Sequence, residues 1–159
     1  VLPTDPETGR LAVVFPRKTE QLKHFYEGSA TLIGDIGIGD AVPPGAIRSL
    51  EKFTYDAYGN VAIYTFQGDP ADAGDDVSAG IDYDYKAAAW IMNRPQTITV
   101  KGGDGGILRR RVGEYDERGN LTAHRALIGE GEWAETAIDY NPNGTIQKVT
   151  GPANAAGER

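Results

Sequence analysis

Apolar and β-branched side chains recur at every second position over much of this chain. Val61, Ile63 and Thr65 form one such series, and Thr136, Ile138 and Tyr140 form another. Period-two alternation puts successive side chains on opposite faces of an extended strand, so these stretches read as half-buried β-strands. Ile47, Leu50, Phe53 and Tyr55 lead up to Asp56. Leu121, Arg125 and Leu127 follow Asn120, Trp133 opens the approach to Tyr140, and Ile146 and Val149 follow Gly144. Residues 96–100 and 107–112, both rich in β-branched or aliphatic side chains, bracket the glycine-rich 102–106. Helical spacing is scarce: residues 86–92 are expected to turn once or twice, with Pro95 as the stop. The pattern predicts an all-β chain of antiparallel hairpins.

Between these stretches one motif returns. Tyr55-Asp56-Ala57-Tyr58-Gly59-Asn60-Val61 and Tyr115-Asp116-Glu117-Arg118-Gly119-Asn120-Leu121 share a Tyr-Asp-x-x-Gly-Asn-apolar frame. Tyr140-Asn141-Pro142-Asn143-Gly144-Thr145-Ile146 repeats it with Asn for Asp, and Tyr83-Asp84 is a degenerate copy without the glycine. Residues 4–11 read as a further copy with a longer turn and no tyrosine. Asp or Asn at the first position of a type I turn bonds the amides ahead of it, and proline suits the second position. A glycine in the left-handed region then closes a short hairpin with the correct twist. Each motif is therefore expected to be a hairpin tip.

Composition limits what such hairpins can do. Hydrophobic residues make up 40% of 159, and 21 glycines with 9 prolines interrupt them often, which fits one domain cut by many turns. No apolar run approaches the ~18 residues of a membrane-spanning helix. A net charge of −7 disfavours wrapping of nucleic acid or an anionic membrane, and Arg109-Arg110-Arg111 is the one basic cluster. With no cysteine and only His24 and His124, disulfides, thiolate metal sites and cysteine nucleophiles are excluded and a multi-histidine site is poorly supplied. No start methionine or secretory leader opens the sequence, so it reads as a piece of a longer polypeptide whose targeting signal lies elsewhere. Residues 1–45 are expected to be an irregular β/loop segment (34–45 winding over the sheet), 46–150 the hairpin-repeat region, and 151–159 a frayed tail.

The Tyr-Asp-x-x-Gly-Asn-Leu-Thr wording at 115–122, with looser copies at Tyr55, Tyr83 and Tyr140, resembles the RHS or YD-repeat proteins over residues 46–150. More weakly, Phe25-Tyr26-Glu27-Gly28 with Gly34, Gly37 and Ala46-Ile47-Arg48 resembles the segment before the repeats in B components of bacterial Tc insecticidal toxins and SpvB-like proteins. The resemblance implies a long antiparallel sheet of hairpins that curves and spirals into a shell around a C-terminal toxic polypeptide of a large secreted or surface-exposed bacterial protein. It also implies structural roles for the repeat residues, with tyrosines packing between neighbouring hairpins; the self-cleaving C-terminal section of such proteins has no recognisable counterpart here, and no catalysis and no cofactor are expected. Its partners would be neighbouring repeats and the enclosed toxin domain.

Asp82 and Asp84 share a strand face, the arrangement a glycoside hydrolase would need across a sugar bond, but the turn aspartates already have a local role. Asp69, Asp72, Asp75 and Asp76 lie in an acidic loop expected to be exposed and mobile; they offer calcium several oxygens, though at no established calcium-loop spacing. Gly34-Asp35-Ile36-Gly37-Ile38-Gly39 lacks the Lys-Ser or Lys-Thr of a phosphate loop. Trp90 and Trp133 are the candidates for stacking on a sugar, which keeps a carbohydrate-binding or cell-surface adhesion module, with cell-surface glycans as partners, as the alternative function. The three arginines should alternate across a strand, one pointing opposite its neighbours toward a carboxylate.

Overall fold

A computed structural model describes residues 16–26, 46–69, 72–153 and 157. The chain is all-β. Nine strands run in chain order: β1 (Glu20–Tyr26), β2 (Ala46–Tyr55), β3 (Val61–Gln67), β4 (Val77–Lys86), β5 (Ile91–Gly102), β6 (Ile107–Tyr115), β7 (Leu121–Leu127), β8 (Trp133–Tyr140) and β9 (Ile146–Thr150). They form a single antiparallel sheet whose order in space is the order in the chain, and it does not close on itself. β1 lies within the 1–45 segment and joins the same sheet through the Leu22–Leu50 and His24–Arg48 pairs. The copy expected at 4–11, the glycine-rich 34–45 stretch and much of the 151–159 tail lie outside the described residues.

Alternating strand direction sorts the connections into two rims. The motif turns at 56–60, 116–120 and 141–145 all fall on one rim, together with the β4–β5 turn. The 68–76 loop, the 103–106 turn and the 128–132 turn fall on the other. The sheet is therefore four hairpins side by side, β2β3, β4β5, β6β7 and β8β9, flanked by β1.

The cross-strand registers also divide the side chains by face. Phe25 and Ile47, Phe53 and Tyr64, Glu51 and Phe66, Ala79 and Val100, Ile81 and Ile98, and Ile138 and Val149 are pairs on one face. The other face carries Lys52 with Thr65, Ser78 with Lys101, Thr99 with Arg110, and Arg125 with Glu135. On the aromatic face the Phe53 and Tyr64 rings lie 5.2 Å apart. No apolar side chain is buried among the described residues, and Ser49, Gly113 and Gly119 alone are. Domains ordinarily place a second layer over such a face; among the described residues this sheet has one layer.

Residues 86–92 turn once, in a 3-10 turn at Ala87–Ala89, and the strand resumes at Ile91. Two local expectations are corrected. Pro95 does not end an element: it lies inside β5 at a register shift opposite Tyr83, where its missing N–H removes no regular ladder bond. The degenerate Tyr83-Asp84 copy is likewise not a tip. Tyr83 and Asp84 lie within β4, and the turn comes beyond them.

Candidate functional site

The repeated residues converge on the motif rim and on the aromatic face behind it. At the first tip the Asp56 N–H donates to the Asn60 carbonyl at 2.9 Å and the Gly59 N–H to the Asp56 carbonyl at 3.2 Å. Asp56 Oδ1 accepts the amides of Tyr58 and Asn60 at 2.9 and 2.8 Å, and its Oδ2 accepts the Asn60 side-chain amide at 2.8 Å. The third hairpin repeats each bond: Asp116 Oδ1 accepts from Arg118 and Asn120 N–H, and Oδ2 accepts from Asn120 Nδ2. Gly59, Gly119 and Gly144 have φ of 93°, 79° and 85°, where a side chain is strained. The motif Asn thus holds the Asp that holds the turn.

The last tip solves the same problem differently. Asn141 gives its side-chain amide to Thr145 Oγ1, and Asn143 rather than Asn141 accepts the Thr145 N–H at 3.1 Å. In the second hairpin the separation is longer. Tyr55, Tyr115 and Tyr140 face Val61, Leu121 and Ile146, six residues on, whereas Tyr83 faces Pro95, twelve residues on. The extra length holds the 3-10 turn, and Trp90, at φ 56° and ψ 28°, takes the left-handed position that glycine fills elsewhere. Asp84 is not in a turn bond; its carboxylate lies 3.1 Å from Lys86 Nζ, which also reaches Glu117 of the next tip at 3.6 Å.

The four motif tyrosines share one further property. Each lies at a register shift, at Thr54/Tyr55, Asp82/Tyr83, Glu114/Tyr115 and Asp139/Tyr140. A bulge of this kind interrupts the ladder and bends the strand, leaving a carbonyl to be satisfied by other means. The tyrosine of the following hairpin supplies the bond. Tyr83 Oη donates to the Val61 carbonyl at 3.0 Å, Tyr115 to Pro95 at 3.0 Å, and Tyr140 to Leu121 at 3.0 Å. Tyr55 makes the equivalent bond to Lys18, just before β1, at 2.7 Å. Gly113 makes room for one of them: a Cβ there would lie 3.1 Å from both the Tyr115 hydroxyl and the Pro95 carbonyl.

Neighbouring tips are tied as well. Asn60 Nδ2 donates to the Met92 carbonyl at 2.6 Å, Arg94 Nε to Gly119 at 2.8 Å, and Arg118 Nη1 to Pro142 at 2.8 Å. Tyr85 donates to Asp56 Oδ2 at 2.8 Å while its ring meets Tyr58 at 4.8 Å between centroids. Sequence reasoning missed Arg94, Arg118 and Met92, of which only the Arg118 position, inside a motif, carried any signal; Tyr85 stood at the end of the degenerate copy, with no sign of its bond to Asp56.

These contacts set the charge states. Partial desolvation opposes ionisation of Asp56, but the Asn60 side chain, the Tyr85 hydroxyl and the amides of Asn60 and Tyr58 outweigh it and bring its carboxyl down to about 2. The Asn120 side chain lowers Asp116 in the same way. The bond to Asp56 pushes the Tyr85 phenol up to about 12. Burial raises Tyr83 and Tyr115.

The other candidates are dispersed. Trp90 is 87% exposed on the motif rim, and Trp133 lies at the opposite rim beside Leu127, so the two do not form one platform. Asp82 lines an open groove of about 610 Å³ on the polar face with Ser78, Lys101 and Arg110, and no second carboxylate lines it. In the acidic loop Asp72 accepts from the Gly74 N–H, Asp75 from the Asp69 N–H and Asp76 from Gln67. Among the described residues no three acidic or histidine side chains cluster as a metal site would require. Arg110 points opposite Arg109 and Arg111, and none of the three is ion-paired among the described residues. No described helix is long and apolar enough to cross a membrane.

Comparison with protein-family models, curated proteins and solved structures returned no match for this chain.

Proposed function

We propose that this chain is a wall segment of the RHS or YD-repeat type: an architectural β-sheet that lines up with neighbouring repeats and encloses a C-terminal toxin or effector domain of a large secreted or surface-exposed bacterial protein, without catalysis. The observation that carries this reading is the tyrosine-to-carbonyl bond, made three times between one hairpin and the next and once between the first hairpin and the residues leading into β1. A hydroxyl engaged by a backbone carbonyl and a carboxylate engaged by turn amides are scaffold groups; neither faces a substrate. The exposed aromatic and aliphatic face supports the same reading, since Phe25, Ile47 and Ile146 are each more than half exposed and a one-layer sheet gains stability from whatever it covers.

The mass of the polypeptide that carries this sequence in its native source, combined with limited proteolysis, tests the proposal. The expected result is a much longer product whose C-terminal portion resists protease until the wall is opened. A native product that ends at Arg159 and works alone would contradict it.

Trp90, 87% exposed in a left-handed conformation, favours a second reading as a carbohydrate-binding or adhesion module. Binding on a glycan array that disappears with Trp90→Ala would support that reading; a blank array removes it.

A further inference from the structure

We propose that the groove over Gly80 on the polar face is a binding site for a sugar phosphate, its phosphoryl group held by Lys101, Arg110 and the Ser78 and Thr99 hydroxyls and its sugar hydroxyls turned toward Asp82. The inference goes beyond the scaffold reading and does not depend on what the sheet encloses.

Gly80 is a glycine that its own strand does not require. Of the three glycines inside strands, Gly102 and Gly113 have a neighbouring atom 3.2 and 3.1 Å from the place of a Cβ, so crowding accounts for them. Around Gly80 nothing lies within 4 Å of that place, its φ is outside the left-handed region, and the ladder is regular on both sides of it. A glycine in a strand interior weakens the strand, and where no bulge or crowding calls for it, it marks a point where something else approaches the backbone closely.

The registers put that gap among unengaged polar groups. Ile63 faces Gly80, Gly80 faces Thr99 and Thr99 faces Arg110, in one row across four strands. In the next row Ser78 faces Lys101. All of them line the same open groove of about 610 Å³. Lys101 and Arg110 make no ion pair with any described residue, and Ser78 and Thr99 give their hydroxyls to none.

These donors select the ligand. Two cations and two hydroxyls exceed what the single charge of a carboxylate can use, whereas a phosphate monoester brings a charge of about −1.5 to −2 and three strong acceptor oxygens. The Arg110 fork suits two of those oxygens, and Lys101 acts as a point charge. Asp82 sets the other end. It lies two residues from Gly80 along β4, about 7 Å away, and as the one carboxylate of the groove it repels a second anion and accepts from hydroxyls. Ile63 and Ile107 give the C–H surface of a sugar an apolar wall between the two ends.

The test titrates the full chain, isotopically labelled, with glucose 6-phosphate, and with inorganic phosphate and glucose as separate arms. Amide shift changes confined to β4, β5 and β6 around Gly80, Thr99 and Arg110 are expected, with the ester bound more tightly than inorganic phosphate and glucose not bound. Arg110→Gln should weaken ester binding about tenfold, the loss that one charge-assisted hydrogen bond supplies. Gly80→Val fills the gap with a residue that strands favour, and should abolish binding without lowering the unfolding midpoint. Absence of shifts, shifts elsewhere on the sheet, inorganic phosphate bound as tightly as the ester, or undiminished binding by Arg110→Gln or by folded Gly80→Val would overturn the proposal. Arg110→Gln decides the matter by itself if Gly80→Val does not fold. None of these outcomes bears on the native mass of the polypeptide, so the two proposals fail separately.

Discussion

The Tyr140 hydroxyl donates to the carbonyl of Leu121, 19 residues earlier, and Leu121 holds in its own hairpin the place that Ile146 holds in Tyr140's. One motif therefore carries both halves of a joint, a donor aimed at the preceding hairpin and an acceptor offered to the next. With no apolar side chain buried among the described residues, such joints and nearest-neighbour side-chain pairs hold the hairpins in order.

Removing a single hydroxyl should weaken one joint. Tyr83→Phe, Tyr115→Phe and Tyr140→Phe are each expected to lower stability by about 1 kcal/mol in urea unfolding, the net worth of one intramolecular hydrogen bond. Tyr64→Phe is the control, since no hydrogen bond to the Tyr64 hydroxyl is made among the described residues, and it should change stability by less than about 0.5 kcal/mol.

Alanine at the turn glycines separates backbone strain from crowding. Gly144 has open space around it, so Gly144→Ala should cost about 1 kcal/mol through its φ of 85° alone. At Gly119 the φ is 79° and a Cβ would lie 2.8 Å from Ile91 Cδ1 and 3.1 Å from Arg94 Nε. Gly119→Ala should therefore cost more than Gly144→Ala, and should also disturb the Arg94 bond to the Gly119 carbonyl. Thermal unfolding of the two variants side by side checks the order.

The opposite change is expected at Trp90, which occupies a left-handed conformation with almost no cover. Trp90→Gly should raise stability by about 0.5–1 kcal/mol, because glycine adopts that region without the Cβ penalty. A fall in the unfolding midpoint would show that the indole makes contacts that hold the turn.

Acid should loosen the motif rim. Asp56 lies at about 2 in the folded protein and near 3.9 in an unfolded chain, so the unfolded state binds the proton more readily. Its stabilisation is complete above about pH 5 and is lost as pH falls through the interval from about 4 to about 2. Asp116, lowered for the same reason, acts in the same direction. Asp56→Asn, which cannot titrate, should flatten the pH dependence of the unfolding temperature over that interval. Tyr85 responds at the other extreme: raised to about 12, it stabilises fully below its ordinary value near 10, and that contribution disappears as pH rises through the interval between them. Tyrosinate absorbance during an alkaline titration reads it directly.

Much of the fold could be read from local chemistry. Asp56, Gly59, Asp116, Gly119 and Gly144 announce turns because their preferences depend on only four or five residues, and the flanking period-two pattern announces strands. The tyrosine joints were not legible in that detail. They depend on which carbonyl a bulge releases on a strand about 20 residues away, a property of register rather than of residue type. Pro95 misled for a related reason, since an isolated proline does not favour a strand interior, and the left-handed turn at Trp90 carries no local signal; only the lengthened second hairpin gives both a place. Arg94 and Arg118 read as surface charge, and it is the side-by-side stacking of tips that turns them into ties.

Site-resolved amide hydrogen exchange on the wild-type chain and Tyr140→Phe tests the joint most directly. The account predicts faster exchange in β7 and β8 near Leu121 and Tyr140, with β2 and β3 unchanged. Unchanged exchange everywhere, or an equal loss of protection across all nine strands, would contradict it.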